Sequence, residues 1–129
     1  MNESLKIRIV SGKAIAMGPG KADLLDAIDA CGSISSVAKQ MKMSYRRAWE
    51  LVDVMNKCFN QPLVISSPGG HHGGGAHLSD FGHTILKSYR DLVVKSSIAA
   101  QVELDQILSQ IKTSERATFN YLHLMFKRL

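Results

Sequence analysis

Two stretches of this sequence carry side chains that could do chemistry, and both suit contact with an anion. The first, Ser44 to Arg47, reads Ser-Tyr-Arg-Arg and sets two hydroxyls beside two guanidinium groups. Hydroxyls suit phosphate oxygens, whereas a guanidinium can donate two parallel hydrogen bonds to O6 and N7 of guanine. The second, Ser66 to Ser79, holds five of the ten glycines and three of the five histidines.

The glycine-rich stretch matches no familiar catalytic pattern. It fits neither GxxxxGK[ST] nor GxGxxG, and no lysine follows it closely enough to reach a phosphate. No pair of acidic residues and no Ser/His/Asp set has a spacing that suggests one catalytic site. We therefore predict that the protein is not an enzyme and needs no cofactor.

The histidines of that stretch suggest a metal site, but too few ligands are present. His71, His72 and His77 offer two or three donors, whereas a structural zinc site needs four on a defined backbone. We predict no resident metal. Three roles stay open for these side chains: neutral surface donors, charges that titrate near neutral pH, or a place where stray metal binds.

The overall composition favours an anionic partner and a cytoplasmic location. The formal net charge is +5 and the sequence pI is near 9.4, which suits nucleic acid. No run of eighteen apolar residues and no apolar signal-peptide core is present, so we expect neither export nor membrane insertion. Cys31 and Cys58 do not form a CxxC pair, and reduced thiols are expected.

The periodicity predicts the elements that must position these residues. Leu5–Val10 and the following KAIAM alternate like strands, and a helix from Lys21 should end at Gly32. Ser33 and Ser44 can cap two further helices that only about three residues separate. A strand from Pro62, the glycine stretch and the strand AHLS come next. Ser79 then caps a helix whose apolar stripe continues from Phe81 to about Ile111.

Two short helices joined by a three-residue turn, the second more basic, are typical of a helix-turn-helix. Ala38 is the small residue expected where the helices cross, and Lys42 stands where a positive φ is common. Trp49 is expected in the core. The positions expected to be buried besides Ala38 are Val37, Met41, Met43, Ala48 and Leu51. The strand, glycine turn and strand that follow would form a wing.

These residues resemble a known family. "LLDAIDACGSISSVAKQMKMSYRRAWELVDVMNKCFNQPLV", a glycine-rich wing and "LSDFGHTIL" are similar to the N-terminal DNA-binding domain of ModE-type molybdate-responsive transcriptional regulators. The resemblance covers about Leu5 to Leu92 and implies a homodimer on double-stranded DNA, with the helix beyond as a dimerising arm. Family members that sense molybdate do so in separate C-terminal domains. Too few residues follow Ile111 for one, so we expect a stand-alone form without molybdate binding.

The sequence thus predicts a mainly α fold with small β content, a winged helix-turn-helix with a long C-terminal dimerisation helix. Residues 1–80 would bind DNA, and residues 81–129 would form the dimerisation helix and tail. A winged-helix protein-interaction module and a non-specific DNA-binding protein remain alternatives. The residues predicted to contact DNA are Ser33, Lys39, Lys42, Ser44, Tyr45, Arg46, Arg47, His71, His72, Gly73 and Gly74.

Overall fold

The computed structural model describes residues 5–67 and 75–112. Over these residues the chain is mainly helical with two small antiparallel sheets, as the sequence predicts. None of the helices described is long and apolar enough to cross a lipid bilayer. In chain order the elements are β1 (Ile9–Ser11), β2 (Ala14–Met17), α1 (Pro19–Cys31), α2 (Ile34–Gln40), α3 (Tyr45–Cys58), β3 (Val64–Ser66), β4 (Ala76–Leu78), α4 (Asp80–Ala99) and α5 (Gln101–Leu108).

The first hairpin is shorter than its sequence suggests. β1 pairs with β2 around a turn in which Gly12 takes a φ of 59°. Regular pairing begins only at Ile9, and all three residues of β1 are exposed. The predicted half-buried strand over Leu5–Val10 is therefore wrong in extent. β2 has four residues, and the register shifts between Ile9 and Val10. Residues before Ile9 therefore have little of β2 left to pair with.

Local capping sets the limits of α1 and α2. Pro19 opens α1 two residues before the predicted start, because its fixed φ suits the first helical position. Gly32 ends α1 in the left-handed conformation, with φ at 76°. The hydroxyl of Ser33 accepts a hydrogen bond from the Ser36 amide at 3.1 Å and so caps α2. Both the glycine stop and the serine cap confirm the sequence prediction.

The connection between α2 and α3 is tight. Lys42 adopts a φ of 56°, the only positive φ of a non-glycine residue in the part of the chain that is described. The Met43 amide donates to the Ala38 carbonyl at 2.9 Å, which closes the turn onto the end of α2. Ser44 caps α3 by accepting from the Arg47 amide at 3.0 Å. The residues predicted to be inside are buried or half-buried: Val37, Ala38, Met41, Met43, Ala48 and Leu51.

Polar contacts at several points hold the first part of α4 against the elements that precede it in the chain. The Ser79 hydroxyl accepts from the Gly82 amide at 2.9 Å, and so it caps this helix as predicted. The Tyr89 phenol donates to the Ile7 carbonyl at 2.6 Å, which holds the chain before β1 against the core. Arg90 pairs with Asp23 and Asp26 of α1.

One apolar core draws on every element from β2 to α4. Its buried members are Met17, Ala22, Leu24, Leu25, Ile28, Ile34, Val37, Ala38, Ala48, Val52, Met55, Leu63, Val64, Ala76, Leu78, Leu86, Tyr89 and Val93.

The predicted single helix from Phe81 to Ile111 is wrong in one respect. α4 ends at Ala99, Ala100 leaves helical geometry with φ −99° and ψ 12°, and α5 follows. No proline or glycine stands at this break, and nothing in the neighbouring sequence accounts for it. The described residues divide into two compact units, with the boundary between Lys95 and Ser96. The terminal helix suggested around Phe119–Leu129 lies outside the described residues.

Candidate nucleic-acid interface

α3 has one buried face and one exposed face. Ala48, Val52 and Met55 are buried, and at about 100° per residue they define the side turned to the core. Arg46 and Glu50 fall near the opposite side of the helix. The Arg46 side chain is 89% exposed, so the first turn of α3 presents its guanidinium to whatever approaches this face.

Glu50 holds Arg46 in a defined orientation. The Arg46 Nε donates to Oε1 of Glu50 at 3.1 Å, one helical turn along. In the described part of the chain neither Nη atom of Arg46 has a hydrogen-bond partner. Because Nε is already engaged, the two Nη atoms are the pair that can donate to a bidentate acceptor. Guanine presents such an acceptor pair in the major groove.

Arg47 lies in a different environment from Arg46. Its backbone amide serves the Ser44 cap, and its guanidinium lies near Lys21, whose ammonium donates to the Ile15 carbonyl. Burial lowers the pKa of Lys21, and the Arg47 charge lowers this pKa further, while Cys58 acts in the opposite direction. Consecutive residues of a helix differ by about 100° in direction, so the two arginines leave α3 on different sides.

Trp49 corrects the sequence prediction. The indole was expected in the core, yet it is 47% exposed, and Tyr45 one turn before it is 56% exposed. The two rings line a shallow depression of about 360 Å³ together with Arg46 and Glu50. A signal for this was available, because Trp49 falls outside the apolar stripe of α3 that starts at Ala48.

The remaining predicted contacts are distributed around α3. Lys39 is exposed at the end of α2 and Lys42 in the connection. The Ser33 hydroxyl is half-buried and already engaged, because it accepts from the Ser36 amide and donates to the Ser36 hydroxyl at 2.8 Å. The residues of this set that lie outside the described part of the chain are His71, His72, Gly73 and Gly74.

The side chain of Asn56 joins α3 to the second hairpin, a role that the sequence did not reveal. Its Oδ1 accepts from the amides of Leu63 at 2.8 Å and Val64 at 3.1 Å, and its Nδ2 donates to the Val64 carbonyl at 3.1 Å. The amide thus substitutes for a short strand at the beginning of β3. The orientation of β3 is thereby tied to that of α3.

The other strand of this hairpin is anchored to the junction of α1 and α2. The Ala76 amide donates to the Gly32 carbonyl at 2.8 Å. β3 and β4 pair in antiparallel register, with Val64 opposite Leu78, and the Ser67 amide donates to the Gly75 carbonyl at 2.8 Å. The stem therefore has a fixed position at both strands.

The described residues hold no group of three or more His, Cys, Asp or Glu side chains close enough to share a metal ion. His77 is exposed in β4, and the other two histidines of the proposed cluster, His71 and His72, lie outside the described range.

No protein-family model matches the chain. The chain is 35% identical over 107 residues, or 83% of its length, to the molybdenum transport protein ModE of Azotobacter vinelandii. It is 33% identical over 115 residues, or 84% of its length, to the transcriptional regulator ModE of Haemophilus influenzae. The chain belongs to the ModE family.

The resemblance inferred from the sequence is thereby confirmed. This ModE-family chain also shares 41% identity over 73 residues with the molybdenum-pterin-binding protein MopB of Rhodobacter capsulatus. It spans 39% of the Azotobacter relative, 45% of the Haemophilus relative and 27% of MopB. The shared region is thus less than half the length of each of these relatives.

Proposed function

We propose that this chain is a sequence-specific DNA-binding transcriptional regulator that acts as a homodimer and has no catalytic activity. The carrying observation is the exposed first turn of α3, where the two Nη atoms of Arg46 have no hydrogen-bond partner among residues 5–67 and 75–112. Relatives named as transcriptional regulators, among them the ModE of Haemophilus influenzae, agree with this function.

In this proposal α2 and α3 form the helix-turn-helix and β3–β4 form the stem of its wing. α3 has 14 residues, or about 21 Å of helix, and its capped N-terminus would enter the major groove. Lys39 and Lys42 supply positive charge beside it, suited to backbone phosphates. Residues 68–74, which include His71 and His72, would contact the DNA backbone next to the groove.

The homodimer is supported by apolar side chains of the second unit. Ile98, Val102, Ile107 and Ile111 are all exposed in residues 96–112. Four exposed branched residues in so short a segment favour cover by a second copy. A two-fold dimer would place its recognition helices about 34 Å apart, or a multiple of this, and would select an inverted repeat.

The test is selection of bound sequences from a random duplex library at two salt concentrations. An enriched inverted repeat is expected. Arg46→Ala should then weaken binding by about 1–3 kcal/mol and relax specificity at one base pair. Arg8→Ala, which removes the same charge from an exposed residue before β1, should leave that specificity unchanged.

Three other outcomes would contradict the proposal. Steep salt dependence without sequence enrichment indicates a non-specific DNA-binding protein. An absence of binding favours a protein-interaction module. Equal affinity and selectivity of Arg46→Ala and the parent would show that α3 is not the recognition helix. Molybdate added to the same assay is expected to leave the affinity unchanged.

A further inference from the structure

The aromatic pair Tyr45–Trp49 forms an apolar patch on a helix that already has an apolar face elsewhere. Side chains four residues apart are neighbours on a helix surface, so the two rings lie on one flank of α3. Both are about half exposed, although an aromatic side chain gains much free energy from burial. The patch is therefore a surface that a partner can cover.

The charges around the patch favour a polyanion as that partner. Arg46 lines the same depression as the two rings, and Lys42 precedes them in the turn. The two acidic residues of this face are each engaged with a basic residue, Glu50 with Arg46 at 3.1 Å and Asp53 with Lys57 at 2.8 Å. Phosphates approaching the N-terminal half of α3 thus meet paired carboxylates and additional positive charge.

Resting on the proposed DNA-binding function, we propose that the Tyr45–Trp49 patch reads thymine. The C5 methyl of thymine is the apolar group that base pairs present in the major groove, and apolar side chains distinguish it from cytosine. Tyr45 and Trp49 are separated by about 6 Å along the helix, which corresponds to roughly two base-pair steps of 3.4 Å. The thymines read should lie within about two base pairs of the position that Arg46 specifies.

Substitution of thymine by deoxyuridine tests this directly, because the exchange removes only the methyl group. Each thymine of the selected operator is replaced in turn, and the affinity of the full chain is measured. One or two positions in each half-site should lose about fourfold in affinity, the value for one buried methyl-sized group. At the thymine that Trp49 contacts, the exchange to deoxyuridine should not change the affinity of the Trp49→Ala variant.

Val54→Ala is the matched control. Val54 is also an exposed apolar residue of α3. Five residues after Trp49, it lies about 140° around the helix from the indole and therefore on the other flank. This variant should keep the full difference between thymine and deoxyuridine.

A second readout requires no substitution, because Trp49 is the single tryptophan of the sequence. Its fluorescence in the unmodified protein reports on this position alone. The operator should protect Trp49 from quenching by acrylamide, and a duplex of unrelated sequence should protect it less.

The possible failures are distinguishable. If the library yields no enriched sequence, the proposed function itself is wrong. If an operator requires Arg46 but every deoxyuridine exchange is neutral, the thymine assignment is overturned while the proposed function stands. If Trp49→Ala weakens both operators and keeps the thymine preference, or if Trp49 is protected without any methyl effect, the ring contacts another part of the DNA and the assignment is likewise overturned.

Discussion

Truncation of Asn56 should destabilise the protein well beyond the average for a half-buried polar residue. Its side chain makes three hydrogen bonds to the backbone of Leu63 and Val64, each with a net value of about 1 kcal/mol. Leu63 is fully buried and Val64 is 4% exposed, so water cannot easily replace the lost partner. A buried amide left unsatisfied costs about 1–3 kcal/mol. We expect Asn56→Ala to lower the free energy of unfolding by about 2–4 kcal/mol.

Urea denaturation followed by far-ultraviolet circular dichroism measures this loss. Asn60→Ala is the matched control, because Asn60 is exposed just beyond α3 and a surface substitution should change stability by less than about 0.5 kcal/mol. A loss below about 1 kcal/mol for Asn56→Ala would refute the argument that this amide anchors β3. DNA affinity, measured where both variants are folded, should fall for Asn56→Ala alone if the hairpin is a wing.

Three further predictions concern the turn, the start of α4 and the Tyr89 phenol. Lys42→Gly should raise the free energy of unfolding by about 1 kcal/mol in urea denaturation, because glycine adopts the left-handed backbone conformation of this position without steric strain. Lys39→Gly within α2 should lower the free energy of unfolding by about as much. Equal effects of the two substitutions would contradict backbone strain at Lys42. Gly82→Ala should destabilise by more than about 2 kcal/mol, because an added Cβ would overlap the Leu63 carbonyl, while Gly20→Ala has open space and should not destabilise. Burial raises the pKa of Tyr89, so above about pH 10 the unfolded chain releases this proton while the folded chain keeps it, and the free energy of unfolding should fall as the pH rises. Tyr89→Phe should lose about 1 kcal/mol at pH 7 and show a shallower fall. Identical pH profiles of the variant and the parent would contradict a raised pKa of Tyr89.

The helix ends were predictable because capping depends on a few neighbouring residues. Ser33, Ser44 and Ser79 each accept a hydrogen bond from an amide three residues ahead, and such a bond depends on local sequence. Gly32 and Lys42 take the positive φ expected from their places after α1 and between α2 and α3. The main part of the candidate site, the first turn of α3, follows from these local signals.

The errors concern features that depend on distant parts of the chain. Trp49 falls outside the apolar stripe of α3, but whether another element covers its flank of the helix depends on the rest of the fold. Asn56 bonds to residues beyond the end of its own helix, so its role becomes visible only once β3 is placed. β1 is short because β2, its pairing partner, has only four residues. The interruption of the helix at Ala100 has no signal in the neighbouring sequence.

The hydrogen bond between the Gly32 carbonyl and the Ala76 amide has a consequence for folding kinetics. It closes a loop that contains α2, α3 and β3, and closing a long loop costs entropy that short-range helix formation does not. We expect β4 to join the structure late, after the helices have packed. Substitutions that weaken this strand should then accelerate unfolding while leaving the folding rate nearly unchanged.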